Sequence, residues 1–202
     1  MSSIAASRLK GFAIAIVVLA LDLFVKGMVM GPWALRELRM THAASGWPAD
    51  QPDLPILPFF GLTFTQNFGV SLGMFTADSM EMRWGLVALT LAIAIVVLVW
   101  MLREKKFGEI AALGLVLGGA LGNIRDRTLY GFVIDYADLH FGGYRPFLIF
   151  NIADAAISIG VVIILARALF LREKPAPEID TSSETPDSGP AKMPENTAAE
   201  TK

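Results

Sequence analysis

Four stretches of this chain are long and apolar enough to cross a bilayer as helices, which takes about 20 residues each. They are roughly Gly11–Met30 (GFAIAIVVLALDLFVKGMVM), Arg83–Leu102, Gly108–Ile124 (GEIAALGLVLGGALGNI) and Phe147–Phe170. In hydrocarbon every backbone N–H and C=O must be satisfied within the chain, so each stretch has to be helical. Composition agrees: 54% of the 202 residues are hydrophobic and only 18% charged, against about 25% charged in an average soluble domain. The expectation is an all-α membrane protein of four transmembrane helices over residues 1–172. A disordered acidic tail is expected over 173–202, where Pro, Glu, Ser, Thr and Ala dominate and little apolar surface exists to bury.

Basic residues near the spans set the orientation. Arg8 and Lys10 precede the first span, Arg103, Lys105 and Lys106 fill the loop between the second and third, and Arg167, Arg172 and Lys174 follow the fourth. All fall on one side, which puts both termini in the cytoplasm. The loops at 31–82 and 125–146 then face outward, with Arg36, Arg39 and Arg83 as basic residues against the trend. The first span is read as retained rather than as a cleaved leader. Asp22 and Lys26 interrupt its apolar run, and no small-residue cleavage site follows.

The outer loop before the second span carries a strand or hairpin signal over about residues 60–76, in LTFTQNFGVSLGMF, with a turn near Asn67 and Gly69. Upstream, SGWPADQPDLPILPFFG reads as an irregular, Pro-rich surface loop. No internal repeat is visible.

Ionisable residues at membrane depth are rare and usually functional. Here they are Asp22, Lys26, Asp126, Arg127, Asp135, Asp138 and Asp154. Asp22 and Lys26, four apart, share a helix face and can pair. Asn123, Asp126 and Arg127 share a face at the outer end of the third span, where the preceding glycines favour close helix packing. Arg127 beside Asp126 reads as a clamp ordering the outer loop. Asp135 follows in YGFVIDYADL, and Asp154 lies in the first two turns of the fourth span with Asn151 three residues before it on the same helix face. A plain cap role for Asp154 is disfavoured, because FNIADAAISIG already reads as helical upstream.

Two carboxylates in apolar surroundings, once brought together, cannot both ionise easily and share a proton near neutrality. One can then draw a proton from water while the other donates to a carbonyl oxygen, which hydrolyses a peptide without a covalent intermediate. Other machineries lack parts. The chain has no cysteine, and its two histidines, His42 and His140, read as loop residues. Ser71 and Ser158 have no evident base, and GGALGN lacks the strand and the GK[ST] of a nucleotide loop. A net charge of −2 offers no case for nucleic acid, and none is expected as a partner. A small four-helix transporter or scaffold is the alternative, although transporter carboxylates gather at midplane between repeats.

The blocks LDLFVK, TQNFGVSLGMF, GGALGNIRDRTLYGFVIDYADLHF and FLIFNIADAAISIG, in this order over about residues 11–170, closely resemble lipoprotein signal peptidase (signal peptidase II), a bacterial inner-membrane aspartic protease family. The resemblance implies a small extracytoplasmic β-cradle on the four helices and cleavage of prolipoprotein signal peptides before a diacylglyceryl-modified cysteine. The sequence has no HExxH or similar metal-binding cluster, and neither a metal nor a cofactor is expected. By the resemblance, catalytic roles fall on Asp135 and Asp154 rather than Asp138. Substrate-binding or supporting roles fall on Asn67, Gly69, Asn123, Asp126, Arg127, Asn151, Asp22 and Lys26. Implied partners are diacylglyceryl prolipoproteins, membrane lipids and globomycin-type inhibitors. The loop at 31–60 is longer and richer in proline than the family's, and the tail after Arg172 lies outside the resemblance.

Overall fold

The computed structural model describes residues 3–48, 50–69 and 80–170. Val70 and the rest of the predicted hairpin to residue 76, Ser71, and the acidic tail lie outside the described residues. Four long helices carry the span-length apolar sequence: α1 (Ser3–Met30), α3 (Met80–Arg103), α4 (Phe107–Tyr130) and α5 (Ile152–Phe170). A shorter helix, α2 (Leu35–Ser45), follows α1. Strands β1 (Leu54–Leu57), β2 (Phe60–Asn67) and β3 (Val133–Leu139) form an antiparallel sheet in the order β1-β2-β3.

α4 is the central helix: 61% of its most apolar stretch is buried within the protein, against 17 to 28% in the other three. Side chains such as Ile16, Phe24, Val96 and Val162 stay more than half exposed and face lipid. Small residues explain the centrality. A Cβ built on Gly114 would stand 2.6 Å from the Gly11 carbonyl oxygen, and one on Gly118 2.5 Å from that of Ala15, so only glycine lets α1 lie this close. Gly118→Val is expected to cost about 2–3 kcal/mol by overpacking. Gly85→Val, where a Cβ meets open space, should change little. Thermal unfolding in detergent distinguishes the two, and equal losses would contradict this packing.

Several boundaries differ from the expected ones. α4 continues to Tyr130 rather than ending near Ile124, and stops at Gly131 (φ 86°), whose N–H bonds to the Arg127 carbonyl. Asp126 and Arg127 are therefore inside the helix. α5 starts at Ile152 rather than Phe147, because Phe150 is drawn into a bridge with Ala137 of β3. The segment read as an irregular loop contains β1. Pro55 is tolerated there because an edge strand leaves one side of its backbone unpaired. α2, with His42 on it, was hidden because it buries little: only Leu35 is fully buried. β3 escaped notice because it is buried along its length and lacks the alternation of a half-solvated strand.

A bulge in β2 between Leu62 and Thr65 shifts its register against β3. Within it, the Phe64 amide donates to the buried carboxylate of Asp53 (3.1 Å), which keeps the disturbed backbone satisfied. The bulge sets Thr65 opposite Asp135 and Asn67 opposite Val133.

Candidate active site

β3 carries Asp135 into the interior, where it is 1% exposed. Its two carboxylate oxygens accept from two asparagines: Asn151 Nδ2 reaches Oδ1 at 2.6 Å, and Asn67 Nδ2 reaches Oδ2 at 2.9 Å. Asn67 is held for this task, because its Oδ1 accepts the Gly69 N–H at 2.8 Å and so turns Nδ2 toward Asp135. Gly69 sits at φ 83°, a conformation suited to glycine. Burial first, and the nearby charge of Asp154 second, push the Asp135 carboxyl up to about 7, against the opposing hydrogen bonds of Asn67 and Asn151.

Asp154 is placed by a reciprocal cap rather than by a continuing helix. Asn151 precedes the first helical residue of α5, and its Oδ1 accepts the Asp154 N–H at 2.8 Å. The Asp154 Oδ2 reaches back toward the Asn151 N–H at 3.4 Å, the geometry of a capping box. The cap role discounted from sequence is thus present, and Asn151 lies before the helix rather than on its face. Asp154 Oδ1 accepts Asn123 Nδ2 from α4 at 2.8 Å. Asn151, fully buried, therefore touches both aspartates: its NH₂ donates to the Asp135 carboxylate, its side-chain carbonyl accepts the Asp154 backbone N–H, and its own backbone N–H faces the Asp154 carboxylate.

Beneath the two aspartates lies a buried ionic cluster. Lys26 Nζ stands 2.7 Å from Asp22 and 2.8 Å from Asp126, with Asn123 Oδ1 at 3.4 Å. Its two carboxylates reach the backbone in parallel ways. Asp22 accepts the N–H of Ala153 at 3.0 Å, and Asp126 that of Ile134 at 3.3 Å. Each holds the peptide amide immediately before one of the aspartates, so the cluster ties α1 and α4 to the alignment of Asp154 and Asp135.

The expected Asp126–Arg127 clamp is not the arrangement found. Asp126 turns to Lys26 and the Ile134 amide, while the Nε of Arg127 is buried without a hydrogen-bond partner. Arg127 Nη2 instead lies 3.5 Å from where a Cβ on Gly69 would stand. Asp138, three residues from Asp135, points to the opposite side of the strand. Both its oxygens take a two-pronged contact from Arg145 (2.8 and 2.9 Å), and Thr63 adds a third hydrogen bond at 2.8 Å. Burial alone would raise its carboxyl, but these partners hold it below the ordinary carboxylate range, and it serves as a structural anchor.

Asp135 opens on a cavity of about 550 Å³ with Asn67, Arg145, Phe147 and Leu148 on its walls. Asp154 opens on an almost wholly apolar one of about 320 Å³, which shares Phe147 and Leu148 and adds Phe150 and Ile159. The sequence reading missed Arg145 and Thr63. The Gly142–Gly143 turn, closed by a Phe141–Tyr144 bridge, was the signal that the chain doubles back and returns Arg145 to Asp138.

Because Asp135 titrates near 7 when folded and near 3.8 otherwise, the folded protein binds the extra proton between these values. That contribution to stability is complete below about pH 4 and is lost as pH rises through 7, at about 1.4 kcal/mol per pH unit at most. Thermal unfolding midpoints of the wild type should therefore fall relative to those of Asp135→Asn between pH 5 and 8. Parallel curves would contradict the assignment.

A family model described as Signal peptidase (SPase) II matches residues 14–170. The lipoprotein signal peptidase of Rhizorhabdus wittichii is 48% identical over 167 residues, covering 83% of this chain and 90% of that protein. That of Sphingopyxis alaskensis is 46% identical over 164 residues, covering 81% and 87%. A solved structure described as a bacterial membrane enzyme superposes with a TM-score of 0.61 at 27% identity, over 80% of this chain and 93% of that one. With four span-length helices and a family match over most of its length, the chain belongs to the signal peptidase (SPase) II family of transmembrane proteases.

Proposed function

We propose that the chain is an intramembrane aspartic endopeptidase that removes signal peptides from diacylglyceryl-modified bacterial prolipoproteins, cutting before the lipidated cysteine. The observation that carries this reading is the single buried asparagine, Asn151, that contacts both Asp135 and Asp154. It couples a carboxyl that titrates near neutrality to a second carboxylate at the start of a helix. Water held between the two loses a proton to one carboxylate and attacks the scissile carbonyl carbon, while the other carboxyl donates its proton to the carbonyl oxygen. The tetrahedral species collapses as the amine leaves with a proton returned from the pair, so no covalent enzyme intermediate forms.

Asn67, Asn123 and Asn151 hold the carboxylates in register through this exchange, and Asp22, Lys26 and Asp126 hold the backbone behind them. The apolar cavity beside Asp154 suits a lipid-bearing or signal-peptide side chain, and globomycin-type inhibitors would compete for the same space. The distribution of charge supports an inner-membrane orientation with both termini in the cytoplasm. Arg8, Lys10, Arg103, Lys105, Lys106 and Arg167 lie at the ends of the four spans away from the aspartates. The aspartates and the sheet would then face the periplasm.

The test is mass spectrometry of the products from a lipidated precursor. The expected product begins at the diacylglyceryl cysteine, and the unlipidated precursor should be cut at least about 100-fold more slowly, since remote binding energy drives the chemical step. Equal cleavage of both forms would overturn the lipid requirement. Proton-coupled flux without any cleavage would favour a transporter instead.

A further inference from the structure

Among the arginines at the end of the bundle opposite the basic clusters, Arg36, Arg39 and Arg83 take no part in the reaction. Arg83 is accounted for: it donates to the carbonyls of Arg127 (2.7 Å) and Thr128 at the C-terminal end of α4. Arg36 and Arg39 stand one turn apart on α2 and line a groove of about 470 Å³ against β2, together with Met40, Phe64, Gln66 and Phe68. Among the described residues no carboxylate lines this groove. Arg36 is exposed and has no ion pair among the described residues. Arg39 gives one nitrogen to Asp53 at 3.3 Å and stays 41% exposed. Asp53 also takes the Phe64 amide and faces His42 Nδ1 at 3.4 Å, so α2 is fastened to β2 from behind, while among the described residues the other guanidinium nitrogens meet no carboxylate.

We infer that this groove binds the phosphate of an anionic phospholipid, with Arg36 and Arg39 on the headgroup and Met40, Phe64 and Phe68 against the glycerol and the upper acyl chain. The placement of α2 supports a lipid. Only residues 31–34 separate it from the end of the membrane helix α1, so it lies at the hydrocarbon boundary. Trp33, Met40 and Trp47 are exposed around it, the aromatic pattern of a membrane interface. Two guanidinium groups one turn apart match a phosphate, which accepts several parallel N–H bonds. An extended acidic peptide fits less well, because both edges of β2 are already paired, by β1 and β3, and offer it no backbone partners.

The test uses the full chain in nanodiscs made of equal parts phosphatidylglycerol and phosphatidylcholine, with retained lipid read by native mass spectrometry after detergent release. The wild type should retain phosphatidylglycerol in excess, by about fivefold for each arginine. Arg36→Gln should lose about that factor, Arg36→Lys should keep most of it, and Arg36→Gln with Arg39→Gln should show no preference. Arg36 is exposed, so its variants should unfold at the wild-type temperature, which is measured in parallel. Equal retention of the two lipids by the wild type, or an unchanged preference in the double variant, overturns the proposal. Displacement of phosphatidylglycerol by millimolar inorganic phosphate would mark a free-phosphate site and also overturn it. So would a precursor preference for acidic residues after the cysteine that disappears in Arg36→Gln in phosphatidylcholine alone, since the partner would then be a peptide.

Discussion

Asp135→Asn and Asp154→Asn are each expected to lower precursor cleavage by about 10⁴-fold, with the protein still inserted and folded. The two substitutions keep size and shape and remove only the ability to accept and release a proton. Their structural costs should differ. Asp135 accepts one hydrogen bond on each oxygen, from Asn151 and Asn67, whereas an asparagine offers one acceptor and one donor. One of those contacts is lost, but so is the charge that burial disfavours, so Asp135→Asn should be at least as stable as the wild type above pH 7. Asp154→Asn weakens the return contact of a capping box, a loss of about 1 kcal/mol. Cleavage of the lipidated precursor, normalised to folded protein, is the measurement. Retention of more than a tenth of wild-type activity by either variant would remove that residue from the reaction. Asn67→Ala, which leaves both carboxylates in place, should lose activity by a smaller factor.

Lys26→Met should be the most damaging single change to stability. Lys26 is 2% exposed and is the shared cation of two fully buried carboxylates, Asp22 and Asp126. Removing it leaves Asp22 without a cation and Asp126 with only the part-exposed Arg125 at 3.5 Å, at a cost of about 3–5 kcal/mol. The effect should extend beyond stability, because these carboxylates grip the amides of Ala153 and Ile134, next to the two aspartates. A triple variant, Asp22→Asn, Lys26→Met and Asp126→Asn, removes the charges together and should recover much of the stability, since a buried ionic cluster often contributes little against neutral replacements. Thermal unfolding in detergent reads the first effect and cleavage by the triple variant reads the second. A Lys26→Met protein as stable as the wild type would show that the cluster is not held by this cation.

The membrane architecture was legible from the chain because it rests on local properties. Span length and apolar content are summed over about 20 neighbouring residues, and the glycines of α4 announced close packing by their number alone. The Asp22–Lys26 contact was legible for the same reason, being four residues apart on one helix. Asp126 joining that cluster was not legible, since it reaches Lys26 from another helix. The adjacency of Asp126 to Arg127 in sequence pointed instead to a pair that the helix does not form. β1 and β3 were hidden because their pairing depends on partners remote in sequence, and α2 because it buries little beyond Leu35. Pro55 and the acids of β3 argue locally against strands that the sheet nonetheless holds.

The candidate site divides in the same way. By itself the sequence determined the chemical inventory: Asp135 and Asp154 at one end of an apolar bundle, asparagines near both, and no thiol or metal-binding pattern to compete with them. Only the tertiary structure decided that Asn151 is a helix cap rather than a helix face, that Asp138 is neutralised by Arg145, and that one asparagine touches both aspartates. The physical reason is range. Hydrophobicity and helical periodicity act over one or two turns and leave their record in the local order of residues. The environment of a carboxyl is set by whatever the fold packs within a few ångströms of it, here side chains from α1, α4, β2 and the start of α5.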